Sequence, residues 1–377
     1  MNLNALSILV SSKVIPLIYA FIGFGLLIMV HEFGHFFFCK MFGIHTPTFS
    51  IGFGPKIIQK KIGSTNFRIA AIPLGGYVEI AGLAEVGQGK QKLAKIHDEN
   101  SFTQKPYWQK LLVLSGGVLF NIFFAYIVYS MLFFIGIPKK KVEFYIASKI
   151  EDVVKEKFKI EPGDKIVSIS NKKLSSSPKK LLTEIHKLLI IPLTQNKSEQ
   201  LQLGIMRGEK LIDITIPIEL KELNNKLIGS FELKTTPIEG KYEKYPIFSA
   251  ISQGIKTTNN ILYQTLYAIK YLITTRSLAG AGGPVMIITK TFETAQKGII
   301  PLFLFLAFIS INLAIINLLP IGALDGGQIL FATIEAIIRR EIPNIIRLII
   351  NITSWVLILW LILYLTYKDI LRLLKFR

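Results

Sequence analysis

The stretch Val14–Phe38, VIPLIYAFIGFGLLIMVHEFGHFFF, predicts the architecture of this 377-residue chain. From Val14 to Val30 it carries no charged side chain, and it continues through the sequence HEFGH into three phenylalanines. About 20 apolar residues are enough for a helix to cross a bilayer. No small-residue cleavage pattern of the signal-peptide type follows. We therefore expect a retained membrane helix with ionisable side chains near its end.

Three further apolar stretches have the length of membrane spans. They run from Leu111 to Pro138, from Gly298 to Leu324 and from Leu348 to Tyr367. Hydrophobic residues make up 51% of the chain and charged residues only 18%, against about 25% charged in an ordinary soluble domain. The sequence thus predicts a multi-pass membrane protein.

The chain is strongly basic, with 44 Lys and Arg against 25 Asp and Glu and a formal net charge of +19. In a membrane protein such an excess concerns topology and contact with anionic lipid. The lysines form no stripe with interleaved aromatic residues, so we expect membrane lipid and no nucleic acid as a partner. The single cysteine, Cys39, excludes an internal disulfide and a cysteine-based zinc cluster.

The sequence His31-Glu-Phe-Gly-His35 carries the strongest chemical signal. Residues four apart lie on one face of an α-helix, so both imidazoles can reach a single metal ion. Glu32 lies one position along, where it can approach a metal-activated water as a general base without being a ligand. Two histidines and a glutamate are costly at the end of an apolar span, which favours a functional role over two buried structural histidines.

A hydrolytic zinc site needs a third protein ligand and one open position. His45, His97 and His186 lie in polar loops and are weak candidates. Asp325 is the better one, because it ends the third apolar span within the sequence Asn317-Leu-Leu-Pro-Ile-Gly-Ala-Leu-Asp-Gly-Gly327. A carboxylate there needs a partner, although a helix cap at the membrane surface is the alternative.

We divide the chain into four regions. Residues 1–140 hold the first two spans and a loop whose Gly-rich turns predict a β-hairpin. Residues 141–245 predict a small α+β module. Residues 246–297 predict an amphipathic helix on the membrane surface and a linker, with packing on the α+β module as the alternative. Residues 298–377 hold the third and fourth spans.

With these motifs the sequence closely resembles the site-2 protease family of intramembrane zinc metalloproteases. The resemblance is to the bacterial branch of this family, the RseP-like (regulator of sigma-E) proteases. HEFGH matches the family's HExxH motif, and NLLPIGALDGG matches its NxxPxPxLDG motif. The α+β module resembles a PDZ domain through Pro162-Gly-Asp-Lys-Ile-Val-Ser-Ile169. Further matches are Gly52-Phe-Gly-Pro55, Pro73-Leu-Gly-Gly-Tyr-Val78, Ser115-Gly-Gly-Val-Leu-Phe-Asn121 and Gly283-Pro284.

The resemblance implies a mainly α membrane protein with four transmembrane helices, a membrane-associated β-hairpin and one extramembrane PDZ-like α+β domain. It implies an enzyme that holds Zn²⁺ with His31, His35 and Asp325 and uses Glu32 as its base. Asn317 would contact the substrate backbone or stabilise an oxyanion, with a plain helix–helix hydrogen bond equally open. Two departures from the family pattern are Gly322 in place of its second proline and room for one PDZ-like domain instead of two.

The implied substrate is a transmembrane segment of a single-span protein that another protease has already cut, such as an anti-sigma factor or a remnant signal peptide. Such a segment must be extended before cleavage, and the sequence Ile69-Ala-Ala-Ile72 is a candidate edge strand for it, although a packing role is as plausible. The alternatives are a proteolytically silent PDZ-containing binder, disfavoured by an intact Glu32, and a transporter, disfavoured by the lack of paired hydropathy repeats.

Topology follows from the two metal motifs. To meet, the first and third helices must run the same way, so both termini and the PDZ-like domain share one side of the membrane. Between Lys40 and Lys110 there are ten Lys or Arg residues, which favours the cytoplasm for that loop. We expect a bacterial inner-membrane protein whose zinc site lies near the cytoplasmic face, with the termini outside. The basic residues from Lys139 to Lys141 and of the C-terminal tail oppose this orientation.

Overall fold

The computed structural model describes residues 14–83, 99–146, 152–175, 184–185, 200–217, 231–275 and 282–375. The chain divides into two compact units: residues 1–135 together with 244–377 form the first, and residues 136–243 form the second. The α-helices are α1 Ile15–Met41, α2 Tyr107–Ile135, α3 Asp152–Phe158, α4 Ile247–Thr275, α5 Pro284–Gln296, α6 Ile299–Asn317, α7 Asp325–Ile338 and α8 Asn344–Lys375. The strands are β1 Thr48–Ile62, β2 Thr65–Glu79, β3 Ile137–Ile146, β4 Lys165–Ile169, β5 Lys172–Lys173, β6 Gln200–Arg207, β7 Lys210–Pro217 and β8 Phe231–Glu243.

Four helices of the first unit are long and apolar enough to cross a membrane, which confirms the four predicted spans among the described residues. They are α1, α2, α6 and the stretch Ile345–Arg372 of α8. In lipid, helices satisfy their own backbone hydrogen bonds and associate largely through close packing. The protein is therefore a mainly helical membrane protein.

Glycines allow the central helices to approach each other closely. A Cβ atom on Gly34 of α1 would collide with the backbone of Gly116 in α2, and the reverse also holds. Gly23 of α1 lies against the side chain of Leu306 in α6. Small residues at such crossings bring backbones together and maximise van der Waals contact. This packing brings α1, α2 and α6 together, so that α1 can carry a buried site.

Helices α1 and α6 run in the same direction, as the two metal motifs require. Gly23 lies beside Leu306, and further along both helices His31 lies beside Asn317, with Nε2 of the imidazole 3.4 Å from Nδ2 of the amide. The ends of both helices therefore meet at one end of the first unit.

Hydropathy predicts one continuous helix to Leu324 for the third apolar stretch, but the structure divides this stretch. Helix α6 ends at Asn317, and Asp325 is the first residue of a separate helix, α7. Pro320 lacks a backbone N–H and disfavours the helical conformation of the residue before it. Gly326 packs so closely on the carbonyl of Leu318 that a side chain would not fit. The break turns Asp325 back toward α1.

The strands β1 and β2 form the predicted hairpin, longer than the sequence indicated. Residues 48–51 of β1 pair on one side with residues 66–69 of β2 and on the other side with residues 76–79. The far part of β1, residues 56–62, pairs with residues 65–70. Ile69 therefore has a paired strand segment on both sides. The candidate edge strand at Ile69–Ile72 is not an edge at Ile69, which has the packing role instead. Residues 76–79 form an edge of this sheet, with one partner segment among the described residues.

Helix α4 packs lengthwise against α2 and α6. The hydroxyl of Tyr126 in α2 donates to Asn259, and Thr265 donates to Asn312 of α6. Gly254 lies against the backbone of Ser130. One face of α4 is thus buried on the bundle, and its predicted place on a membrane surface stays a prediction.

The second unit is an antiparallel sheet in the order β7-β6-β4-β3-β8, with β5 paired to β4. Arg207 donates two hydrogen bonds to the buried carboxylate of Asp164, at 2.8 and 2.7 Å, and this contact raises the pKa of the guanidinium. The resemblance of this unit to a PDZ domain stays a prediction. Its buried core is Phe144, Ile146, Phe158, Ile160, Ile166, Ile169, Ile185, Leu201, Leu203, Ile205, Ile214 and Ile216.

Candidate metal centre

Helix α1 brings two imidazoles together at its buried face. His31 and His35 are each 9% exposed, and their Nε2 atoms are 3.4 Å apart. The spacing of four residues produces this proximity directly, because both side chains project from successive turns of one face. The predicted convergence of the two histidines is therefore present in the structure.

Asp325, at the start of α7, completes a group of three donors. Its Oδ2 atom lies 3.4 Å from Nε2 of His31 and 3.6 Å from Nε2 of His35. Nitrogen and oxygen ligands at about 2.0–2.1 Å from one tetrahedral zinc ion are about 3.3 Å apart. Oδ2 is also buried without a hydrogen-bond partner among the described residues. Both the spacing and this unpartnered oxygen fit a zinc ion held by His31, His35 and Asp325.

The protonation of His35 also suits a metal ligand. Its Nδ1 atom lies 2.8 Å from the backbone carbonyl oxygen of Val113 in α2. Since a carbonyl only accepts, Nδ1 must carry the hydrogen, which leaves the lone pair of Nε2 free for a metal. A hydrogen bond of this kind fixes both the tautomer and the orientation of a ligating imidazole.

The three donors open into a cavity of about 270 Å³. Glu32 lines it beside the two histidines, and Asn317 lines it at the end of α6. The hairpin edge contributes Gly76 and Val78 to the wall. Gly76 packs against Glu32 so closely that a Cβ atom would lie 3.0 Å from the glutamate Cγ. The cavity therefore joins the donors, a carboxylate suited to proton transfer and a strand edge.

Two polar residues of this cavity escaped the sequence analysis. Gln328 of α7 donates to the carbonyl oxygen of Gly322 at 2.7 Å, and Asn351 of α8 lies beside it, 5% exposed. Asn351 interrupts an apolar stretch, and that polarity inside a span was the available signal. A Cβ atom on Gly322 would lie 2.9 Å from Oδ1 of Asn351. The glycine that replaces the family's proline thus lets α8 approach the loop before Asp325.

Of the weaker candidates for a third ligand, His45 does not join the group. His45 lies in the segment between α1 and β1, where its backbone N–H donates to the carbonyl oxygen of Asn100 and its own carbonyl accepts from the N–H of Ala81. His97 and His186 lie outside the described residues. Among the residues that the structure describes, His31, His35 and Asp325 are the one group of three with metal-binding proximity.

Comparison with known proteins agrees with this geometry. The model of peptidase family M50 matches residues 19–361. The chain is 31% identical over 360 residues to a protein of Clostridium perfringens that bears the name of a zinc metalloprotease, covering 94% of this chain and 98% of that relative. It is 32% identical over 353 residues to a similarly named protein of Nostoc, covering 92% and 93%. The regulator of sigma-W protease RasP of Bacillus subtilis is 28% identical over 425 residues, covering 93% and 97%.

Proposed function

This chain belongs to peptidase family M50 and is a zinc metalloprotease, and from that premise we propose that it cleaves transmembrane segments of other proteins inside the membrane. The observation that carries this proposal is the location of the metal donors. His31 and His35 belong to α1, a 27-residue apolar helix of spanning length, and are buried within the helix bundle. A peptide bond that reaches them must come from the membrane or its interface.

The side chains around the cavity have separable tasks in peptide hydrolysis. Bound by His31, His35 and Asp325, zinc supplies a Lewis acid that activates water and polarises a carbonyl. The Glu32 carboxylate takes the proton of the attacking water and passes it to the leaving amine nitrogen. Asn317, whose Nδ2 lies 3.4 Å from Nε2 of His31, donates a hydrogen bond to the substrate carbonyl or its oxyanion.

We propose that the substrate is extended by pairing with the hairpin edge at residues 76–79. A peptide bond inside a helix is shielded, so the helix must open before attack. An exposed strand edge offers backbone donors and acceptors to a chain that has lost its helical bonds. Gly76 and Val78 line the metal cavity, which supports this edge over the interior segment that begins at Ile69.

The substrates we propose are single-span proteins already shortened by another protease, including an anti-sigma factor or remnant signal peptides. The relative from Bacillus subtilis is named as a regulator of sigma-W, which supports the first of these. We also propose that the second unit is a PDZ-like domain outside the membrane. It would admit substrates whose part outside the membrane is small and exclude larger ones. Membrane lipid is the expected surrounding, and no nucleic acid is involved.

We also propose the bacterial inner membrane as the location, with the zinc site near the cytoplasmic face. The parallel course of α1 and α6 supports termini on one shared side. The basic loop between Lys40 and Lys110 favours the cytoplasm for the opposite side.

The test is cleavage of a single-span protein by the purified enzyme in liposomes. Removal of the Glu32 base should leave zinc and fold intact and lower the rate by about 10²–10⁴-fold, so Glu32→Gln should be nearly inactive. The matched control is Glu293→Gln. Glu293 is a solvent-facing glutamate of α5 paired with Lys290, and its variant should cut at the rate of wild type.

Two results would contradict the proposal. Cutting by Glu32→Gln at a rate near that of wild type would remove Glu32 from the reaction. A zinc-loaded wild type that binds every substrate without cutting any would favour the silent binder.

A further inference from the structure

The second ring nitrogen of His31 faces a buried amide on the neighbouring helix. Nδ1 of His31 lies 3.1 Å from Nδ2 of Asn121, and Asn121 is 0% exposed. The amide oxygen Oδ1 of Asn121 is also buried and has no hydrogen-bond partner among the described residues. A buried carbonyl oxygen without a hydrogen-bond partner destabilises the fold, so this arrangement calls for an explanation.

Metal ligation by His31 would explain why a buried amide lies at this point. A histidine that binds through Nε2 carries its hydrogen on Nδ1 and donates it to an acceptor there. Two groups of α2 are placed to accept it, the backbone carbonyl of Gly117 and the amide of Asn121, and the amide is the one with an unpartnered oxygen. In the orientation that the structure has, the amide nitrogen of Asn121 is the nearer atom, and a nitrogen of that kind only donates. A half-turn of the amide exchanges its two ends and brings Oδ1 against Nδ1. The same rotation gives the unpartnered oxygen a donor.

We propose that Asn121 is a positioning residue of the zinc centre, which accepts a hydrogen bond from Nδ1 of His31 through its amide oxygen. It fixes the imidazole in the tautomer and orientation that point Nε2 toward His35 and Asp325. The inference concerns the metal centre itself and does not depend on which peptide bond the enzyme cuts.

Helix α2 is built to hold both imidazoles. Val113, Gly117 and Asn121 lie four residues apart and so share one face. The carbonyl of Val113 holds His35, and the amide of Asn121 faces His31. Gly117 lies between them, where a side chain would collide with both rings.

The backbone of Asn121 is held as well. Ser310 of α6 donates from its hydroxyl to the carbonyl oxygen of Asn121 at 2.9 Å. This contact does not involve the amide that faces His31. Removing it therefore perturbs the same helix crossing while the acceptor for the imidazole remains.

A plain structural role is the competing explanation, because buried asparagines also join membrane helices through hydrogen bonds. The two roles differ in what they require of the side chain. A positioning residue needs an acceptor at this point and tolerates the loss of the amide donor. A structural amide, or one that donates to Nδ1, does not tolerate a carboxylate.

The experiment measures zinc affinity of the full-length protein by competition with a chromophoric chelator. Asn121→Asp keeps the shape and presents only acceptors, so its zinc affinity should equal or exceed that of wild type. Asn121→Leu keeps the volume and removes the acceptor, and should bind zinc about 10–100-fold more weakly. Ser310→Ala should bind zinc as wild type does. The absorption bands of the cobalt-substituted protein should change in the Leu variant alone.

Two results would overturn the proposal. One is a folded Asn121→Leu variant whose zinc affinity lies within about threefold of wild type, well inside the loss expected for such a partner. The other is an Asn121→Asp variant that folds and loses zinc. If the Leu variant does not fold, the Asp variant decides alone, because a structural or donating amide predicts its failure and an accepting one predicts its success.

Discussion

At the scale of single residues, the centre combines two imidazoles of an apolar helix with one carboxylate. Asp325 supplies the only negative charge of this donor set, and its Oδ2 lies within 3.6 Å of both Nε2 atoms. A buried carboxylate is stable when it is paired or coordinates a metal. With zinc bound at this site, Asp325 would contribute charge neutralisation as well as a ligand atom.

Replacement of Asp325 by Asn should weaken zinc binding by more than about 100-fold, because it removes this charge from the metal's ligand set. Metal analysis after dialysis against a chelator measures the effect. The control is the substitution Asp369→Asn. Asp369 is a buried carboxylate that accepts from the backbone N–H groups of Gly283 and Met286. The control should keep zinc. Full zinc retention by the Asp325 variant would mean that the third ligand is another residue.

The sequence could predict two kinds of site residue. One kind is brought together by local helix geometry, and the other carries a charge that is costly at the end of an apolar span. His31 and His35 follow from helix geometry, and Asp325 follows from the cost of a carboxylate at the end of a span. Val113 and Asn121 could not be predicted in the same way, because they meet the histidines across 78 and 90 positions of chain. That pairing depends on how α2 crosses α1, which no local pattern specifies.

At the scale of elements, the distance between α1 and α2 controls the centre. Gly117 lies against His31 and His35 and leaves no room for a side chain, whereas Gly25 of α1 has open space around its Cβ position. Both are glycines in apolar helices, so propensity alone predicts the same effect for both. Their surroundings predict that an added side chain disturbs the metal site at Gly117 and leaves it unchanged at Gly25.

The substitution Gly117→Ala should displace the imidazoles and abolish tight zinc binding, with a loss of thermal stability. Gly25→Ala should leave zinc binding unchanged and stabilise α1 by up to about 1 kcal/mol. Zinc titration of both variants measures the effect on zinc affinity, and thermal unfolding measures the effect on stability. Equal behaviour of the two alanine variants would show that the crossing of α1 and α2 is more tolerant than its geometry indicates.

Hydropathy predicted the spans but not how the elements end. The stretch from Gly298 to Leu324 carries no charged residue, so hydropathy does not register the break after Asn317. Backbone sterics at Pro320 and the close packing of Gly326 favour that break. The local sequence also left open whether Ile69 lies at an edge of the hairpin or packs inside it. Ile69 is interior because it pairs with Ile51 on one side and with Ile58 on the other, and no local pattern specifies that double pairing.

At the scale of the whole molecule, the parallel course of α1 and α6 predicts the topology. An odd number of spans lies between the hairpin and the second unit, so they should face opposite sides of the membrane. Ser64, in the turn between β1 and β2, and Lys172, in β5, are both exposed. They offer one reporter position on each side.

Cysteines at these two positions, in a Cys39→Ser background, should react differently with an impermeant thiol reagent. In intact cells Lys172→Cys should be labelled and Ser64→Cys should be protected until the membrane is opened. Cys39 is buried, so its removal serves only to lower the background. Equal labelling of both positions in intact cells would contradict the proposed topology, whereas the reversed pattern would invert its orientation.

The most direct test of the central claim is the position of the bond that the enzyme cuts. Zinc-loaded wild type should be reconstituted in liposomes with a single-span protein, and the products should be sized by mass spectrometry. The account predicts a scissile bond inside the apolar span, with cutting lost on chelation and restored by zinc. Cleavage confined to residues outside the span, or cutting that persists without zinc, would contradict it.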